Sequence, residues 1–253
     1  MTSETIEQRL DAMTHEIDRL KAITAIQNTM SHYETVHCSG EIHRTTECFA
    51  LWRPDCTAEV AGWGCFVGTD TVKEFWGRQN RMDPRGAIFF HTLASPAIEV
   101  AGDGKTAKAT WASPGFEGAR KDGDPLAFWC WGKYGADFIR NPATGEWKIW
   151  HLKWFRTIRN HFNTPWPEES HQVMVGTINL GDHFADLNRV PSAFHRPYQS
   201  EEVAHPFPVT PQPYADYDGN FHWMFGGAEM ERQYGLDLPD YSRHYNAAFP
   251  DKI

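Results

Sequence analysis

A chain of 253 residues with 11 Trp, 16 Phe and 8 Tyr has rings enough for a sizeable core and a ring-lined cavity besides. Its formal net charge of −9 and the lack of any basic cluster exclude a phosphate-binding surface, and with it a nucleic-acid partner. Its five cysteines, Cys38, Cys48, Cys56, Cys65 and Cys130, include no CxxC pair, which argues against a disulfide framework and a structural zinc site.

The opening MTSETIEQRL is polar, and no run approaches the ~18 apolar residues of a membrane span. The expectation is a reduced, soluble, cytoplasmic protein with no membrane partner. Residues 4–37 read as a helix. Ile6, Leu10, Met13, Ile17, Leu20, Ile23, Ile26, Met30 and Tyr33 recur at steps of three and four, a single apolar stripe laid on a sheet. Ser3 is placed to cap its start and Gly40 to end it. Tyr33, His37 and Glu41 arrive at the end of that face, on the surface or in a pocket. Residues 41–87 read as short helices around one strand: TTECFALW helical and stopped by Arg53-Pro54-Asp55, CTAEVAGWGCFVG a strand and turn, TDTVKEFWGRQNRM a helix capped by Thr69 or Asp70.

Residues 88–158 hold four aromatic-rich runs, IFFHTLASPAIEV, KTAKATWASPGF, PLAFWCWGKYGADFI and EWKIWHLKWFRTI, joined by short segments of turn residues. This pattern predicts an antiparallel meander curled around an apolar pocket. Alternation places Phe128, Cys130, Tyr134 and Phe138 on one face of the third run, and Trp129, Trp131, Lys133 and Asp137 on the other. In the fourth run it groups Trp147, Ile149, His151 and Lys153. Both faces are ring-rich, so the outer one requires a cover, either another subunit or the chain's own tail. Residues 159–253 offer one: too rich in proline for long helices, too aromatic for a disordered tail. Within them, HQVMVGTINLGDHFADL reads as an irregular insert and GGAEMERQYGL as a short helix. The division expected is a domain over 1–160 and an extended C-terminal arm over 161–253, packed on its own barrel or a neighbour's.

Residues 17–160 resemble the SnoaL-like branch of the NTF2-like superfamily, through YETVHCSGE, LWRPDC, GTDTVKEFW, HTLASPAIEVAGDGKTAKATW and GKYGADFIR…GEWKIWHLKW. The resemblance implies an α+β fold, a cone-shaped curved antiparallel sheet closed by N-terminal helices around a pocket. Its members include dehydratases, isomerases, cyclases and non-catalytic binding proteins. In its scytalone dehydratases a histidine opening the strand after the helical region is catalytic, and that position matches His91. A second catalytic histidine falls near Trp131 or Lys133, and a pocket tyrosine near His37, so this chain departs from the dehydratase pattern. The Trp-rich form with a long arm looks like the lignin diarylpropane γ-formaldehyde lyases, which convert a 1,2-diarylpropane-1,3-diol to a stilbene with no cofactor. The resemblance also implies a homo-oligomer, a trimer before a dimer.

The candidate acids and bases are His91, His37, Tyr134, Lys133 and His151, since burial can shift such groups into catalytic range. Tyr134 and Lys133 are neighbours on a strand, so only one faces the pocket. Tyr33, Trp111, Trp129, Trp131 and Phe138 are the candidate contacts for a small aromatic substrate. No HExxH, GxSxG, GxGxxG or P-loop pattern is present, so no metal, nucleophilic serine or nucleotide cofactor is expected. The expected activity is a cofactor-independent lyase on an aromatic diol. The alternatives are a dehydratase or isomerase on a polycyclic substrate, or a non-catalytic binding protein.

Overall fold

A computed structural model describes residues 5–38, 40–80, 83–168, 183–192, 197–219 and 221–226. Helix α1 (Ile6–Val36) opens on Thr5, whose hydroxyl accepts from the Gln8 N–H while the Gln8 side chain accepts from the Thr5 N–H, a capping box. The expected cap, Ser3, lies outside the described residues. Only the second half of the expected stripe is covered: Ala22, Ile26, Met30, Tyr33 and Val36 are buried, whereas Ile6, Leu10, Met13, Ile17 and Leu20 are exposed. The reason is angular. Two successive steps of three, Leu20 to Ile23 to Ile26, swing the stripe back by about 120° at 100° per residue. Residues 6–20 therefore look away from the sheet.

The segment Ile42–Cys48 is a 3-10 helix rather than the expected longer helix, and Phe49 already leaves it extended, bridging to Ile149. Strands β1 (Thr57–Val60) and β2 (Gly64–Val67) form a hairpin. Helix α2 (Thr69–Asn80) begins at Thr69 itself, whose hydroxyl donates to the Leu51 and Arg53 carbonyls. Its Val72, Phe75 and Trp76 are buried in the core.

The four aromatic runs do lie antiparallel in succession, but the first two are each broken. The first becomes β3 (Ile88–His91) and β4 (Ala94–Val100). The second becomes β5 (Thr106–Ser113) and β6 (Gly115–Lys121), split at Pro114, which has no N–H for the ladder. β6 and β5 share one edge of β7 (Asp124–Arg140), and β8 (Trp147–His161) takes the other. Asp122 and Gly123, both at positive φ, make the two-residue hairpin into β7. β1 adds parallel to β8, and β9 (Arg189–Val190) ends a sheet that is mixed and does not close on itself.

Alternation holds along β7: Cys130, Tyr134, Ala136 and Phe138 join the inner core. It fails along β8. Asp137 pairs with His151 but Phe138 pairs with Ile149, which leaves Trp150 as an extra, bulged residue. The bulge reverses the parity. Trp147 and Ile149 face inward with Leu152 and Trp154, while His151 and Lys153 pass to the outer face, contrary to the grouping that simple alternation gives.

The chain's own residues 198–219 and 221–225 lie across that outer face. Tyr198, Val209 and the Tyr214–Ala215 pair hydrogen-bond to Thr157, Met224 and the Gly102–Asp103 turn, respectively. Phe207, Trp223, Met224 and Phe225 pack with Cys65, Val67 and Phe155. Gly135 permits this closeness, since a Cβ there would stand 2.6 Å from the Met224 sulfur. The helix expected over 226–236 lies, beyond Gly226, outside the described residues, as do residues 171–182 of the expected insert.

Candidate active site

A cavity of about 440 Å³, counting space open to solvent, sits between the inner face of the sheet and the ends of α1 and α2. Its walls are mostly rings: Tyr33, Trp63, Phe75, Trp76, Phe89 and Trp154. Among them stand His37, His91, Glu117, Tyr134 and Arg156.

His91 ends β3 and is buried. Its ring stacks on Trp154, with centroids 5.3 Å apart, and its Nε2 lies 3.3 Å from Glu117 Oε1. The Arg159 Nε donates to the other oxygen of Glu117 at 2.8 Å. Gly115, paired with His91 across the ladder, allows this approach: a Cβ there would lie 2.2 Å from the Phe90 carbonyl. Burial opposes charge on His91. The hydrogen bonds and charges of Cys130 and Glu117 outweigh it and push the imidazole up to about 10. Burial alone would likewise raise Glu117, but His91, Arg159 and Arg156 hold its carboxylate well below the usual range. His91 is thus an imidazolium at neutral pH.

The last turns of α1 supply the facing wall. Glu34 and His37 are three residues apart and share a face. Tyr134 donates to Glu34 Oε1 at 2.6 Å. Burial pushes Glu34 up to about 7, against the lowering effects of the His91 charge and the Tyr134 hydrogen bond. Burial and the charge of His91 lower His37 to about 3, so it is neutral. Its ring stacks on Tyr33 and lies 5.3 Å from that of His91. Ligand atoms of Glu34, His37 and His91 all lie within 4.8 Å of one another, as do those of His91, Glu117 and Cys130. Either set has the spacing for a metal ion. A protonated His91 offers no lone pair to one, however, so the ion pair with Glu117 works against metal binding.

Three donors at the cavity, Trp76 Nε1, Trp154 Nε1 and Arg156 Nε, are buried and have no hydrogen-bond partner among the described residues. Buried donors of this kind require an acceptor, so oxygen atoms on a bound molecule would satisfy them.

A family profile for the SnoaL-like domain matches residues 18–153. The chain belongs to the SnoaL-like family. Its mixed, curved, unclosed sheet with an N-terminal helix is the NTF2-like fold. Solved structures similar to this SnoaL-like chain include a putative scytalone dehydratase from Novosphingobium aromaticivorans, at 14% identity and TM-score 0.49, covering 60% of this chain and 94% of that one. A putative aromatic ring hydroxylase from the same species shows 20% identity and TM-score 0.45, covering 56% and 94%. A hexachlorocyclohexane dehydrochlorinase, LinA-type3 from Novosphingobium barchaimii, shows 18% identity and TM-score 0.46, covering 60% and 97%. No curated protein sequence matches the chain.

Of the residues singled out from the sequence, His91, His37, Tyr134 and Tyr33 meet at the SnoaL-like cavity. Trp111 and Phe138 lie in the same core, edge to face at 6.0 Å, but do not line the cavity. The other four are on the outer side. His151 Nδ1 is 2.9 Å from Asp137, which also accepts from Trp223 Nε1 at 2.7 Å, a buried link between sheet and arm. Lys133 donates to the Pro206 carbonyl. Trp129 stacks on Phe162, and Trp131 is exposed. Sequence reasoning passed over Glu34, Glu117, Arg156, Arg159 and Trp154. Glu34 carried a signal, its i, i+3 spacing to His37; Glu117 carried none, since it falls in the polar stretch EGARKDGD that reads as a turn.

Proposed function

We propose that the cavity carries out cofactor-independent acid–base fragmentation of an aromatic 1,3-diol, of the lignin-derived 1,2-diarylpropane type. The observation that carries this reading is a charged imidazolium, His91, in the wall of a ring-lined space, with a carboxyl poised near neutrality, Glu34, at its margin, bonded to the cavity residue Tyr134. Their reactive atoms lie within 4.8 Å of one another, close enough for both to address the two hydroxyls of one diol.

The chemistry balances without redox change. Glu34 takes the proton of the terminal hydroxyl. The C–O bond becomes the carbonyl of formaldehyde as the bond from that carbon to the central carbon breaks. Its electron pair forms the new double bond, and the benzylic hydroxyl leaves as water with the proton of His91. Substrate equals stilbene plus formaldehyde plus water. Tyr134 holds Glu34 in place, and Glu117 with Arg159 keeps His91 charged. The rings hold the two aryl groups by stacking, and Arg156, Trp76 and Trp154 offer donors to their oxygen substituents.

The test is incubation of purified protein, with no added cofactor, with a racemic 1,2-diarylpropane-1,3-diol while stilbene absorbance is followed. The reading expects a rise that His91→Ala slows by about 10² or more. No rise would remove it. Water loss without formaldehyde would place the chain with the dehydratases, which the same acid and base serve equally.

A further inference from the structure

The exposed half of α1 carries a pattern that the fold leaves unused. Ile6, Leu10, Met13, Ile17 and Leu20 are exposed by 77%, 58%, 61%, 48% and 57%, respectively. Their spacing is strictly four, three, four, three, the period of a coiled-coil seam rather than of a scattered surface. At about 100° per residue they centre opposite the Ala22–Ile26–Met30 face that meets the sheet. Contacts on the far side of the helix hold them outward: His15 Nε2 lies 3.3 Å from the Gly102 carbonyl, and Arg19 approaches Glu99.

We propose that this stripe pairs in parallel with the same stripe of a second copy of the chain. Leu10 and Ile17 then take the a positions, and Ile6, Met13 and Leu20 the d positions. Charge favours that partner. In a parallel pair the residue flanking the seam at g faces the e residue five positions on in the other helix. Glu16 would meet Lys21 of the second copy, twice by symmetry, and Arg9 would meet Thr14, so no like charges oppose. Glu16 and Lys21 are both exposed, and their present partners, Arg19 and Asp18, are exposed or half-exposed side chains of the same helix that a second copy would compete with. A membrane surface fits less well. The polar side of residues 5–21 carries Glu7, Asp11, Glu16 and Asp18 against Arg9, Arg19 and Lys21, with none of the basic excess that interfacial helices use.

Light scattering of the full chain after size exclusion, at micromolar concentration, tests this. The proposal expects at least twice the single-chain mass of 29.0 kDa. Leu10→Glu/Ile17→Glu, at exposed positions, should bring the mass to one chain with unchanged circular dichroism. Glu16→Lys should weaken association by about tenfold, and adding Lys21→Glu should restore it. A single-chain mass for the unaltered protein overturns the proposal. So does an association indifferent to Leu10→Glu/Ile17→Glu, or a charge-swapped double variant that stays weakened. A single-chain protein that sediments with anionic vesicles would hand the stripe to a membrane, and a single chain with the stripe shielded from solvent would hand it to residues 227–253.

Discussion

Glu117→Gln removes the charge that keeps His91 protonated while preserving shape and an acceptor for Arg159. With His91 at about 10 and Glu34 at about 7, roughly nine-tenths of molecules at about pH 8 hold acid and base in working form. Without the carboxylate, Cys130 alone opposes burial at His91, so the group falls from about 10 toward its ordinary value of 6.5. A fall all the way to 6.5 would leave only about 3% of His91 protonated at about pH 8, so kcat/KM should drop by up to roughly 30-fold. At about pH 6.5 the same arithmetic leaves a deficit of about twofold. The assay is kcat/KM for the diol from about pH 5.5 to 10.5, with circular dichroism to confirm folding and Glu117→Asp as the variant that retains the charge. The unaltered protein should gain activity through pH 7, hold a plateau, and lose it near 10; the Gln variant should lose its alkaline plateau. A deficit equal at every pH, or an alkaline limb still near 10, would refute the assignment of Glu117 as the group that charges His91.

Glu34→Gln should remove the rise near pH 7 and cost about 10² or more in rate, measured by the same stilbene absorbance. Exhaustive chelation should leave the rate within about twofold; a loss restored by zinc would shift the chemistry to a metal held by Glu34, His37 and His91. His151→Ala should lower unfolding free energy by about 1–3 kcal/mol, since Asp137 would lose a buried partner, with turnover by the folded protein retained. His91 also makes stability pH-dependent: its folded value exceeds 6.5, so its stabilisation is whole below 6.5 and fades as pH rises through about 10, which urea titrations across that range would show.

The strand runs and the inward face of β7 were legible because alternation acts over a few residues; His91 was marked by the family resemblance, and helical period left His37 between surface and pocket. What was hidden depends on events that period cannot encode. The Trp150 bulge is a one-residue insertion in the ladder, and it sent His151 to the outer face. The turn of the α1 stripe was present in its spacing, as two consecutive threes, but reads as continuous until the angles are added. Pairing across distance was not legible at all: Glu117 comes from β6 and Arg159 from β8, and only the folded sheet sets them on either side of a charge. Lys133 and Tyr134 had to face opposite ways, and the parity Tyr134 shares with Phe138 marked it as the inward one; its partner Glu34, and the Pro206 carbonyl that Lys133 reaches, come only with the fold.

The central claim is that one acid and one base in this cavity release formaldehyde and water together from an aromatic diol. The most direct measurement is the ratio of trapped formaldehyde to stilbene formed by the purified protein without added cofactor. The account predicts a one-to-one ratio throughout the reaction, abolished in parallel by His91→Ala. Formation of either product without the other, or of neither, would contradict it.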